Sequence, residues 1–261
     1  MAHDPWNPAQ YERFAAERRQ PFDDLRALIE PEPAMRVVDL GCGTGELTAE
    51  LHASLGARET LGIDRSARML ERSTQFVRPG LRFAPGDIAT FTADAEWDLV
   101  FSNAALHWVG EHEELIPRLA AALAPGGQLA IQVPANFDHA SHVVAAQLAA
   151  EEPFASALEG RPLRLASVLA PEAYATLLDR CGFARQHVRL QVYGHHLASR
   201  DEVVEWVRGT TLTAYEQALP QGLFPLFLER YRERLLPRLP DTRPFFYPFK
   251  RLLLWARRAK A

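Results

Sequence analysis

Short apolar runs alternate with stretches of helical spacing along most of the chain. Val37, Val38 and Leu40 form a β-branched run broken only by Asp39, and a helical pattern follows to about Leu55. Thr60–Asp64, Leu81–Ala84, Trp97–Asn103 and Gln128–Val133 repeat the short run. Between them lie a helix capped by Ser66, with Met69 and Leu70 turned inward, and another from Glu111 to Ala122. Strands alternating with helices in this way predict an α/β domain built on parallel pairing. Further on, Pro171–Cys181 reads as a helix stopped by Gly182, Ala184–Tyr193 alternates like a strand, and Tyr247–Arg258 is the last strand. Residues 135–170 read as an irregular or helical insertion. The stretch from Ser199 to about Leu239 is helical and rich in aromatic residues, including Trp206, Tyr215, Phe224, Phe227 and Tyr231, which predicts a lid over a ligand pocket. At the start, Asn7 and Pro8 open a helix through Arg18, and a second helix runs from about Pro21 to Glu30. The expected organisation is therefore N-terminal helices over 1–34, an α/β core over 35–197 with its insertion near 135–170, a lid over 198–243, and a last core strand over 244–261.

The densest local signal is Asp39-Leu40-Gly41-Cys42-Gly43-Thr44-Gly45-Glu46, three glycines at alternate positions between a strand and a helix. Glycine is needed where the backbone takes positive φ or touches a ligand, and open α/β sheets bind ligands at the carboxyl ends of their strands. A dinucleotide fingerprint requires glycine at position 46 so that a pyrophosphate can sit on the helix N-terminus. Glu46 stands there instead, and its carboxylate repels a phosphate but tolerates a ligand carrying a sulfonium and an ammonium. Asp64 ends the second strand about twenty residues after the glycines, the spacing that brings a neighbouring acid to ribose hydroxyls. Asp87 follows the third strand in Pro85-Gly86-Asp87-Ile88, where a surface turn explains it equally well on its own.

The spelling Asp39-Leu40-Gly41-Cys42-Gly43-Thr44-Gly45 resembles motif I of the class I S-adenosylmethionine (SAM)-dependent methyltransferases, and Leu123-Ala124-Pro125-Gly126-Gly127-Gln128-Leu129 is similar to that family's entry into its fifth strand. The resemblance covers residues from about 35 to 134. It implies a Rossmann-like sheet of order 3-2-1-4-5-7-6 with a helical lid, and SAM as cofactor. It also implies cofactor contacts from Asp39, Gly41, Gly43, Asp64, Arg65, Met69, Asp87, Ile88 and Asn103. Trp6, Tyr11, Phe14 and Arg18 either pack an amphipathic helix on the core or, as the resemblance implies, fold over the cofactor, with Arg18 on the methionine carboxylate and Tyr11 in the lid.

The corner Asn103-Ala104-Ala105-Leu106-His107-Trp108 lacks the prolines found in methyltransferases directed at DNA amines and protein glutamine, which lowers the case for an amide or base-amine acceptor. Over the full length, the leader Trp6-Asn7-Pro8, the corner around Asn103 and Trp108, and the tail around Pro248, Arg251 and Ala256-Arg257-Arg258 are similar to the trans-aconitate 2-methyltransferases. That group tends to have an arginine where Thr213 stands, so weak turnover of trans-aconitate is expected, with Arg208 and Arg243 as replacement cations. Trp6, Trp108, Trp206 and Arg208 are the candidate acceptor-binding residues. A carboxylate acceptor is already ionised at neutral pH and needs no base. An acceptor that must lose a proton would call on His107, whose alternative role is packing or hydrogen bonding.

The 261 residues carry a formal net charge of −4 and a pI near 6.2, which argues against a nucleic-acid partner and for a small, acidic acceptor. His3, Asp4 and Pro5 interrupt any signal-like run and no apolar stretch reaches membrane length, so no membrane partner, a cytoplasmic location and a monomer are expected. Two cysteines make neither a metal set nor a disulfide framework, and the His139–His142 spacing lacks a completing ligand, so no metal is expected. His195 and His196 read as a solvated strand end. The arginines of the C-terminal part, including Arg251, Arg257 and Arg258, read as a solvated face or as an attractor for an acidic acceptor. The competing classes are a nicotinamide oxidoreductase, disfavoured by Glu46, and a SAM-binding protein without catalysis.

Overall fold

The computed structural model describes residues 15–159 and 168–260, with side chains from residue 19 onward. Its strands are β1 (Arg36–Leu40), β2 (Glu59–Asp64), β3 (Leu81–Pro85), β4 (Trp97–Asn103), β5 (Leu123–Pro134), β6 (Phe183–Leu197) and β7 (Phe245–Arg258). They form one sheet of order β3-β2-β1-β4-β5-β7-β6, parallel from β3 to β5, with β7 antiparallel to both β5 and β6. That is the expected order. The chain reverses its direction of winding between β1 and β4, which opens a crevice at the carboxyl ends of those strands.

The helices are α1 (Ala15–Arg26), α2 (Glu46–Leu55), α3 (Ala67–Ser73), α4 (His112–Ala121), α5 (Ala140–Ala149), α6 (Phe154–Ala157), α7 (Pro171–Arg180), α8 (Asp201–Arg208), α9 (Thr211–Ala218) and α10 (Phe224–Leu235). Phe22 and Leu25 of α1 and Leu51 of α2 cover one sheet face over Val37, Phe101, Leu253 and Trp255. Leu115 and Leu119 of α4 with Tyr174 and Leu178 of α7 cover the other over Val100, Leu129 and Leu254. The two N-terminal helices expected on either side of Arg18 and Pro21 are instead continuous over Ala15–Arg26, with Pro21 inside. Proline forfeits one helical hydrogen bond there. Burial of Phe22 beside Phe101, ring centroids 5.9 Å apart, holds the helix to the sheet regardless.

A third apolar core lies in the C-terminal half. The insertion helices α5 and α6 and the lid helices α8, α9 and α10 share one apolar cluster, built on Phe154, Trp206, Tyr215, Phe227 and Tyr231. Leu197 joins it because β6 runs past its expected end, and Phe245, Tyr247 and Phe249 join it from the start of β7. His195, expected in solvent, is buried with its ring 5.0 Å from Trp206, whereas His196 is exposed. Two arginines expected on a solvated face are also buried: Arg257, 8% exposed, pairs with Glu30 and Glu32, and Arg251 is 4% exposed.

Candidate active site

The β1–α2 turn is shaped by what surrounds its glycines. Gly41 has φ +83°, and a Cβ placed on it would lie 2.2 Å from the Cβ of Ala105 in the turn after β4. Gly43, at φ +56°, has nothing within 4 Å on its Cβ side, and its amide donates to Asp64 Oδ2 at 2.9 Å. The Ser66 amide donates to Asp64 Oδ1 at 2.8 Å, so two backbone N–H groups fix the carboxylate at the end of β2. Ser66 also caps α3, as expected, by accepting from the Met69 amide. Asp39 lies beneath the turn and does not line the cavity described below. Its carboxylate accepts from the Thr48 hydroxyl at 2.5 Å, and burial raises its pKa to about 7 against the opposing effect of that hydrogen bond. Asp39 thus ties the turn to α2 from behind.

The turn opens into a cavity of about 1320 Å³, counting the space at its mouth. Gly41, Gly43, Asp64, Arg65, Met69, Asp87 and Ile88 line its β1–β3 end. Asp87 is exposed and accepts from the Ala89 amide at 2.9 Å, whereas Ile88 is buried. Asn103, His107 and Trp108 line the middle and Trp206 the far end. Most of the expected site residues therefore converge on one space. Arg208 does not: its side chain is exposed at the end of α8 and absent from the lining. Arg243 is likewise exposed, and Thr213 turns its hydroxyl to the Arg208 carbonyl at 3.0 Å. Trp6 and Tyr11 lie outside the described residues, as does the side chain of Arg18.

The middle of the cavity is held by buried polar contacts. The His112 Nε2–H donates to the Leu106 carbonyl at 2.9 Å, which leaves Nδ1 to accept from the Tyr174 hydroxyl and braces the turn carrying His107. Burial lowers the His112 pKa. His107 packs on Trp108 with ring centroids 4.7 Å apart. Its pKa is pushed down to about 3, by burial first and then by Arg251, His112 and His142. Its Nδ1 and the Oδ1 of Asn103 are buried without a hydrogen-bond partner among the described residues.

The far end contains residues that the sequence reading did not place in the cavity, Arg251 having been read only within a C-terminal cluster that is solvated or attracts an acidic acceptor. Arg251 lines it with its guanidinium 4.9 Å from the centroid of Phe249, a second lining residue. Phe137 and His142 complete that wall, ring to ring at 5.6 Å, and His142 is held neutral by burial, which pushes its pKa down to about 4. One signal could have found the pair. In strand β7 the residues 249 and 251 share a face, so an aromatic and a cation two apart mark a polar break in an apolar strand.

Comparisons with known proteins point the same way. A methyltransferase-domain family model matches residues 37–127. The trans-aconitate 2-methyltransferase of Deinococcus radiodurans is 42% identical over 258 residues, covering 97% of this chain and 98% of its own. That of Variovorax paradoxus is 42% identical over 232 residues, covering 88% of each. Among solved structures, an S-adenosylmethionine dependent methyltransferase from Mesorhizobium loti superposes with a TM-score of 0.51 at 22% identity over 90% of this chain and 96% of its own.

Proposed function

We propose that this chain, which belongs to the trans-aconitate 2-methyltransferase family and is a SAM-dependent methyltransferase, O-methylates a carboxylate of a small acidic acceptor, with trans-aconitate the first compound to assay. The observation that carries the choice of a carboxylate is His107. It is the residue best placed by sequence to act as a base, yet it is half-buried in the cavity wall with its Nδ1 enclosed, which keeps it neutral and weakly basic, with a pKa of about 3. A group that weak does not draw a proton from a phenol, alcohol or ammonium at neutral pH. A carboxylate arrives already ionised.

The residues present fit SAM. Gly43 leaves open space on its Cβ side, and a carboxylate oxygen can take two hydrogen bonds, so one amide on each Asp64 oxygen is compatible with a ribose diol. Asp87 and Ile88 line the same cavity and would meet the adenine, and the unpartnered Asn103 Oδ1 would accept from the methionine part. SAM supplies an electrophilic methyl group on a sulfonium. The chain's own contribution is orientation and exclusion of water: the Asn103–Trp108 turn and the aromatic wall of Trp206, Phe249 and Phe137 hold the acceptor oxygen toward the donor end. Bound there, SAM would supply its methyl group to an acceptor oxygen that is already anionic, so the chain's own residues would have no proton to take up.

A pH profile tests this. His107, His142 and His195, with pKa values of about 3, about 4 and about 4, stay neutral above pH 6. With SAM saturating, so that titration of Asp39 does not enter through cofactor affinity, turnover of a carboxylic acid should be flat from pH 6 to 8. His107→Gln should keep turnover within about fivefold. A hundredfold loss, or a wild-type rate rising through a pKa in that interval, is the general-base result and would sink the carboxylate reading.

A further inference from the structure

We infer that Arg251 and Gln132 form a subsite for a second, non-reacting carboxylate of the acceptor, so that the cavity selects acids carrying at least two carboxylates. The inference rests on the carboxylate reaction proposed above and adds to it the residues that choose among acids.

Register places the two residues together. Leu253 and Trp255 of β7 belong to the apolar face covered by α1, and alternation puts Arg251 on that face too. Gln132 of β5 is in register with Leu253, and Pro134 with Arg251, so Gln132 and Arg251 are diagonal neighbours across an antiparallel pair. Such neighbours lie roughly 7–8 Å apart at their backbones, within reach of two long side chains. On the other side Gln132 is in register with Asn103, which lines the cavity. The face that carries Phe101, Ala130 and Leu253 in its apolar part thus ends, at the carboxyl edge of β4 and β5, in Asn103, Gln132 and Arg251.

Gln132 supplies an independent sign of a ligand. It is fully buried, 0% exposed, and neither its Oε1 nor its Nε2 has a hydrogen-bond partner among the described residues. A primary amide held in that condition costs stability and is retained where something polar comes to meet it. Gln132 lies behind the lining that Arg251 belongs to, so a carboxylate taking N–H groups from the planar guanidinium would gain one from the amide after that side chain turns toward it. The guanidinium of Arg251 lies over the Phe249 ring, 4.9 Å from its centroid, which favours one orientation of the fork.

Three acids distinguish the outcomes: trans-aconitate, fumarate, and crotonate, which has the four-carbon chain of fumarate with a methyl group in place of one carboxylate. Their binding to protein saturated with S-adenosylhomocysteine is measured by calorimetry, and their methylation is measured with SAM. Wild-type protein should prefer fumarate and trans-aconitate over crotonate by roughly 10–150-fold, the scale of hydrogen bonds to a charged group. In Arg251→Met that preference should collapse to within about threefold while S-adenosylhomocysteine affinity is kept, and Arg251→Lys should restore part of it. Gln132→Met, which keeps the volume and removes the unpartnered amide, should lower the preference and raise the melting temperature by roughly 2–6 °C. A Gln132 that is only a residue of the core would give the rise without the lowered preference. Crotonate bound as tightly as fumarate by the wild type, or a preference that survives Arg251→Met, overturns the subsite. Equal methylation of all three acids overturns the subsite and leaves carboxylate methylation standing. Methylation of a phenol or amine with none of the three acids accepted shows that the proposed reaction itself is wrong.

Discussion

Replacing Gly41 by alanine should abolish useful SAM binding and lower the melting temperature by roughly 5–15 °C, on a cost of about 2–4 kcal/mol. Two effects add. The residue sits at φ +83°, where an L side chain is strained, and its new methyl would lie 2.2 Å from the Cβ of Ala105. Ala105 belongs to the turn that carries Asn103 and His107 into the cavity, so relief of the clash moves both sides of the site apart. The second effect can be separated from the first. In Gly41→Ala with Ala105→Gly the nearest remaining neighbours are Ile88 Cδ1 at 3.4 Å and the Ala105 Cα at 3.7 Å, ordinary contacts. The double variant should therefore recover part of the lost stability and affinity, leaving only the backbone strain. Thermal melts and SAM calorimetry on the three proteins decide it. A single variant that binds normally, or a double variant no better than the single, would show that this close approach does not shape the site.

The order of the sheet came from the resemblance to the methyltransferases, since periodicity gives strands but not their neighbours. What the residues themselves marked were the carboxyl edges of four successive strands, at Asp39 with the glycines, Asp64, Asp87 and Asn103. The antiparallel part was less legible. β6 and β7 extend to Leu197 and back to Phe245 because their ends pack on the helical unit, a contact between segments far apart in sequence that no local periodicity records. The same distance hid the arginines. Arg257 is buried because Glu30 and Glu32, more than two hundred positions earlier, meet it, and Arg251 because the far wall of the cavity closes around it. Read locally, an arginine-rich tail is a solvated face. Pro21 misled for the opposite reason: a strong local stop was overridden by burial of the residue after it, Phe22.

Asp64 should account for the largest single share of cofactor affinity that a side chain in this cavity supplies. The structure shows why its geometry is prepared: the Gly43 and Ser66 amides hold its two oxygens at 2.9 and 2.8 Å, so little is lost in ordering it when a ligand arrives. Asp64→Ala is expected to weaken SAM binding by about 1–3 kcal/mol, a factor of roughly 5–150, through lost hydrogen bonds to a charged acceptor. Part of that loss would be indirect, since the Gly43 amide loses its acceptor and the glycine turn its brace. A ligand-side change isolates the direct part. If Asp64 meets the ribose, removing one ribose hydroxyl from S-adenosylhomocysteine should cost the wild-type protein roughly 1–2 kcal/mol and cost the folded Asp64→Ala variant almost nothing. Equal losses in the two proteins would assign Asp64 to the turn alone and place the ribose elsewhere in the cavity.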